Sequence, residues 1–233
     1  MIPSYYQQSL KKGSVLTFLE WMNEKFFLPS GNLRDDPKLM HYARTISRWV
    51  QVFGNNNIYV LISDSKNHDI LYQNFAEVIN VSELPQAKNM TLNRSMTVRE
   101  AEILRLINVS VIDKWDWYSY CRIVRDGFVK RLTNTKNSSN RAESRFTVPI
   151  FMIDHITHIA ERIISEIEML DVVVLGDLSS ISKSEKKIYH DFEMDLETAK
   201  VESVVHLKQL SREYLNQRKF ITRVKMRLKS FIR

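Results

Sequence analysis

The chain has 233 residues, 44% of them hydrophobic and 26% charged, which suits a globular fold with a sizeable core and excludes a disordered one. Five glycines and five prolines point to long ordered segments with few tight turns, and the single cysteine, Cys121, excludes an internal disulfide and a cysteine-built zinc cage. The net charge of +7 belongs to the tail: residues 212–233 hold eight bases and one acid, whereas the first 211 hold 26 of each, so overall basicity gives no case for sequence-specific nucleic-acid binding.

Pro3 and Ser4 read as the first turn of a helix that passes through Tyr5 and Tyr6 and stops at Gly13, with Ser4 as its cap. Ser14 then caps a second helix, "VLTFLEWMNEKFF", with Leu16, Leu19 and Phe26 near one face. The turn residues of "LPSGNLRDDP" predict a loop. Pro37 opens "PKLMHYARTISRWVQVFG", whose apolar residues recur at helical spacing until Gly54, and "NNN" makes a turn. "IYVLIS" is short and β-branched and predicts a buried strand, and "NHDILYQNFAEVIN" returns to helix.

"VSELPQAKNMTLNRS" reads as an irregular connection, after which Thr97 and Glu100 form a capping box opening "VREAEILRLINVSV". Residues 113–132 and 149–169 are expected to be helical, separated by the polar loop "TNTKNSSNRAES". "VVVL" gives a second strand before "GDLSSIS", and from about Glu185 the pattern is helical to the end, with a break near His190. No apolar run approaches the roughly 20 residues that span a bilayer, and no basic-then-apolar leader is visible, so a cytoplasmic location is expected. The Asn-x-Ser/Thr triplets at Asn80, Asn89, Asn93, Asn108 and Asn137 therefore carry no functional weight.

Several side-chain groups carry candidate chemistry. "DHITHIAE" sets Asp154, His158 and Glu161 on one helical face with His155 beside them, but the HExxH spacing is missing and no metal is expected. "DKWDWYSYCR" groups Trp115, Trp117, Tyr118 and Tyr120 with carboxylates. Such a group serves either core packing or stacking on a sugar ring. Cys121 reads as a small buried residue with no catalytic neighbour. The tail is the sharpest pattern. Phe220, Val224, Leu228 and Phe231 form an apolar stripe, Arg223 and Arg227 flank it, and Arg218, Lys219, Lys225 and Lys229 add charge. A helix of this kind either lies on an anionic membrane or polyanion, or packs its stripe on the body.

"SYYQQSLKKG", "HYARTISRWVQVFGNNNIYVLISD", "NFAEVINV", "NRSMTVREAEILRLIN" and "VVVLGDL" together resemble, in order and spacing, the later part of bacterial sulfotransferase-like proteins. These use 3′-phosphoadenosine 5′-phosphosulfate as sulfate donor. The resemblance implies a helix-rich α/β fold, with part of a P-loop-NTPase-like parallel sheet over residues 1–180 and a helical basic tail over 181–233. It also implies that Ser4 stands where the family has a serine gripping the donor's 3′-phosphate, which suits a hydroxyl at a helix start. The strand and arginine that precede that serine, and the glycine-rich phosphosulfate loop, have no counterpart among the scattered glycines here. Asp64 stands near the family's acidic residue but takes no role, and no catalytic residue is assigned.

Two readings follow. In the first, the chain is sulfotransferase-like, acts on a cell-surface carbohydrate, and is incomplete or inactive by itself. In the second, it is a non-catalytic module that docks through its basic C-terminal helix. With few strands of its own it is expected to expose a sheet edge, and so to self-associate or to meet a partner that completes the sheet.

Overall fold

Helical spacing of apolar residues dominates the chain, and the computed structural model describes residues 2–63, 69–82, 84, 94–134, 145–182 and 193–231. Side chains are described for residues 199–222 of the last helix. The architecture is helix-rich with a small parallel sheet of two strands. The chain divides into two compact units, one of Met1–Trp21, Thr91–Thr147 and Tyr189–Arg233, the other of Met22–Met90 and Val148–Ile188. This differs from the expected boundary at residue 180. The tail helix belongs with the N-terminal residues because its apolar stripe is buried from Ala199 onward, well before its positive charge begins.

The first unit is helix on helix. α1 (Ile2–Lys11) buries Ile2, Tyr6 and Leu10 at steps of four and packs on α5 (Val98–Val111). The start lies one turn earlier than a Ser4 cap requires, so Ser4 sits inside the first turn and is exposed. Thr97 caps α5 as expected, its hydroxyl accepting from the Glu100 amide while the Glu100 carboxylate accepts from the Thr97 amide. Trp115 and Asp116 break the helix expected over 113–132. Asp116 caps the short α6 (Trp117–Tyr120), taking the Ser119 amide at 2.9 Å and its hydroxyl at 2.8 Å. These bonds hold the Asp116 carboxyl below the usual aspartate range. The helix then widens into a π-helical stretch, Cys121–Phe128, and resumes as α7 (Val129–Asn134).

α9 (Glu193–Phe231) is 39 residues long and lies along α5, burying Ala199, Ser203, Leu210 and Tyr214. The two run parallel: Arg99 pairs with Glu202 near the start of α5, and beyond its end the Trp115 ring stacks on Tyr214 at 4.4 Å. Several buried polar groups of this unit find partners inside it, although Thr147 Oγ1 has none. Asn108, fully buried, donates from Nδ2 to the Leu10 and Ser14 carbonyls, both at 2.8 Å, and accepts the Tyr120 hydroxyl at 2.8 Å. Gln7 exchanges two hydrogen bonds of 2.9 Å with the backbone of Met96. Tyr6 lies in a cluster of rings with Phe18, Trp21 and Phe146, and burial pushes its hydroxyl and that of Tyr120 well above the usual tyrosine range. Gly13 turns the chain at φ +90°, and Ser14 to Leu16 run on as coil. α2 (Phe18–Phe26) therefore starts after Thr17, whose amide and hydroxyl donate to Glu20 at 2.8 Å, and not after Ser14.

The second unit holds both strands. β1 (Tyr59–Leu61) pairs in parallel with β2 (Val173–Leu175), in the register Tyr59↔Val173, Val60↔Val174 and Leu61↔Leu175. Both expected strands exist, each three residues long, but β1 is exposed at Tyr59 and half-buried beyond it, where a buried strand was expected. Among the described residues no further strand joins them, so each keeps an open edge. Gly176 follows β2 at φ +107°, where a Cβ would stand 3.1 Å from the Ile62 carbonyl oxygen. α3 (Tyr42–Phe53) ends at Gly54 as expected and packs on α8 (Ile150–Glu168), while α4 (Asp69–Val78) follows β1. Pro37 does not open α3. It leads into a single 3₁₀ turn, Lys38–Met40, and the helix begins at Tyr42. Asp64 and His190 lie outside the described residues.

Candidate anion-binding cleft

The segment between α2 and α3, Phe27 to His41, shapes a strongly charged hollow in the second unit. An antiparallel bridge between Phe27 and Leu33 folds residues 28–32 back on the end of α2, sealed by Leu28 N–H on Asn32 O at 2.7 Å and Arg34 N–H on Phe26 O at 2.7 Å. Proline at 37 disfavours helical backbone at Asp36 and removes one amide, and the chain bends at Asp35 and Asp36 before the 3₁₀ turn. His155 of α8 fixes this segment from the other side, its Nε2 lying 2.9 Å from the Arg34 carbonyl.

Asp36 is the hub. One carboxylate oxygen lies 2.9 Å from His41 Nε2 and 3.6 Å from an Arg162 nitrogen, and the other accepts from Arg44 at 3.1 Å. Two adjoining hollows share Asp36, His41 and Arg44. The larger, about 530 Å³, is lined further by Glu24, Lys25, Arg34 and Lys38. The smaller, about 170 Å³, is closed by Met40, Arg162, Ile163 and Glu166. Counting Lys25, Arg34, Lys38, Arg44 and Arg162 against Glu24, Asp36 and Glu166, the lining carries two positive charges in excess before His41 is considered.

The Asp36 side chain is 49% exposed and that of Arg44 58%, so these are surface ion pairs. Each such pair contributes about 0–1 kcal/mol to stability. An incoming carboxylate, sulfate or phosphate could accept from the same guanidinium groups in place of Asp36, at little cost to the fold. Arg162 Nε is buried with no hydrogen bond and stands 3.6 Å from Glu166 Oε1 as an ion pair inside the smaller hollow.

The sequence-derived candidates fall elsewhere. Ser4 is exposed in the first turn of α1, in the unit that does not hold the sheet. Its hydroxyl and the first-turn amides suit a phosphate, and no acid stands in that turn. The glycine-rich loop needed for the rest of a phosphosulfate donor has no counterpart in the sequence. These residues therefore fit one phosphate and not the whole donor. Asp154, His158 and Glu161 are exposed on α8 and His155 is engaged with Arg34. Among the described residues no three His, Cys, Asp or Glu side chains stand close enough to hold a metal.

In the aromatic group, Trp115 spends one face on Tyr214, Trp117 stacks on Tyr120 at 5.3 Å but is half exposed, and Tyr118 stays exposed. Cys121 is half-buried, where full burial was expected. Of the tail cations, Arg218 sits 5.7 Å over the Tyr214 ring and Lys219 is exposed. The side chains of Arg223, Lys225, Arg227 and Lys229 lie outside the described set. The cleft residues went unnoticed in the sequence because Arg162 is more than a hundred residues from Asp36. Only the dense charge of "LRDDPKLMHYAR" hinted at it.

Compared with known proteins, the chain matches no family model, no curated protein and no solved structure. Among the described residues no helix is long and apolar enough to cross a membrane.

Proposed function

We propose that this chain is a sulfotransferase-like protein that holds an anionic carbohydrate in the cleft around Asp36, on the acceptor side of a sulfate transfer. One observation carries the reading: five cations line two adjoining hollows whose common carboxylate, Asp36, is shared by His41, Arg44 and Arg162. The larger hollow, at about 530 Å³, has the size of a small-ligand cleft, for which about 300–1,000 Å³ is usual. A uronate or sulfate group on a sugar presents the same planar or tripodal oxygens as Asp36. The carbohydrate class comes from the sequence resemblance, and the anionic character comes from the lining. The donor in this reading is 3′-phosphoadenosine 5′-phosphosulfate, and Ser4 is the one residue assigned to it.

Calorimetric titration with a uronate-bearing tetrasaccharide and a neutral one of equal length tests the reading. The acidic sugar should bind at least roughly tenfold more tightly, and its affinity should fall as salt rises from about 0.05 to about 0.3 M. The double variant Arg44→Ala/Arg162→Ala should lose binding by roughly tenfold with the fold intact. Equal affinity for the two sugars, or binding that ignores the substitutions, would overturn it.

A further inference from the structure

The face of α9 that docks on α5 does not stop where its cover stops. Among the described residues, Ala199, Ser203, Leu210 and Tyr214 are the buried ones of that stripe, and its last ring-on-ring contact is Trp115 on Tyr214. Gln217 touches Ser119 at 3.4 Å, and the helix continues to Phe231. From Arg218 to Phe231 it covers about 21 Å at 1.5 Å per residue. At the start of this stretch Arg218 and Lys219 are exposed and Phe220 is 65% exposed, an aromatic ring left uncovered between cations.

The sequence of the same helix repeats the pattern in register. Ile221, Val224, Leu228 and Phe231 fall at the steps of three and four that prolong the Leu210–Tyr214 stripe. With Phe220 they span an arc of about 100°, the width of a face that lies on another surface. The basic positions occupy the remainder of the circumference, and no acid follows Glu213.

We infer that the C-terminal segment of α9 docks on an anionic lipid bilayer, with its stripe in the acyl boundary and its cations among the headgroups. Charge decides the occupant. A second copy would bring two segments of +7 each face to face, which self-repulsion opposes. A nucleic acid would use the cations and leave the stripe in water. A bilayer of anionic lipids uses both.

Co-sedimentation of the full chain with vesicles of phosphatidylglycerol and phosphatidylcholine at about 30:70, and with phosphatidylcholine alone, tests this. Binding to the first should exceed binding to the second by at least roughly tenfold, and fall at high salt. Arg218→Glu/Lys219→Glu and, separately, Phe220→Ser should each weaken it several-fold. Lys219 and Phe220 are exposed, so the thermal melt of Phe220→Ser should be unchanged, whereas loss of Arg218 from the Tyr214 ring should lower the melt slightly. Failure to bind the anionic vesicles, equal binding to both, or indifference to Phe220→Ser would overturn the inference. So would a lipid-free dimer that Phe220→Ser dissolves, which would make the second copy the occupant, or single-stranded RNA that binds and depends on Phe220 as the vesicles were expected to.

Discussion

Asn108 and Asp36 are both hubs, each gathering groups from distant parts of the chain, and they work in opposite surroundings. Asn108 is fully buried, and its partners Leu10, Ser14 and Tyr120 are reached within hydrogen-bond distance with no water between. Asp36 is half exposed and gathers charged groups instead. A buried polar hub costs the fold the desolvation of every partner it abandons, whereas an exposed ionic hub can exchange partners cheaply. The first unit is thus held by its polar groups, and the second displays them.

The largest effect that would sharpen this contrast is Asn108→Leu. The Ser14 carbonyl would lose its donor inside the core, while the Leu10 carbonyl keeps the Gly13 amide and Tyr120 keeps only its 3.2 Å bond to Leu10. Urea unfolding should show a loss of about 2 kcal/mol. Asp36→Ala should cost less than about 1 kcal/mol in the same assay. Near-equal losses would break the comparison. Gly13→Ala comes next. At φ +90° an L side chain is strained, and the new Cβ would stand 2.5 Å from Ile112 Cδ1. The methyl end of isoleucine can move, so the backbone dominates, and a loss of about 1–2 kcal/mol is expected from the same unfolding curves.

These two sites also show what the sequence made legible. Gly13 announced a helix stop, and the Thr97/Glu100 pattern announced the start of α5, because both are local rules of backbone geometry. The equally local Thr17/Glu20 pair was available but Ser14 was read in its place. The β-branched runs gave both strands, but not their pairing, which joins residues more than a hundred positions apart. The stripe of α9 was visible and its partner α5 was not. A helical face states that something covers it, without saying what. The cleft was the least legible feature, since no periodicity links Asp36, Arg44 and Arg162. Asn108 carried a glycosylation triplet, yet its amide is consumed in the core.

Smaller effects probe each unit alone. In the second, Arg44→Ala should leave stability within about 1 kcal/mol of the parent while weakening acidic-sugar binding several-fold by calorimetry. In the first, His206 lies against the Phe128 ring, and burial, aided by the Arg131 charge, lowers its proton affinity below the ordinary value of 6.5. The unfolded chain then takes up this proton first. Stability should decline as pH falls through about 6.5 and level off below the folded-state value, and His206→Leu should remove that slope from urea midpoints measured between pH 8 and 5. A slope that persists in the variant would assign it to other groups.

The most direct measurement is the affinity of Asp36→Asn for the uronate-bearing tetrasaccharide. If Asp36 stands in for the ligand's own carboxylate, neutralising it frees His41, Arg44 and Arg162 and tightens binding by several-fold, with the melting temperature almost unchanged. Weaker or unaltered binding, or a fold that loosens with the substitution, would show that the three cations serve only to tie this loop to its helices.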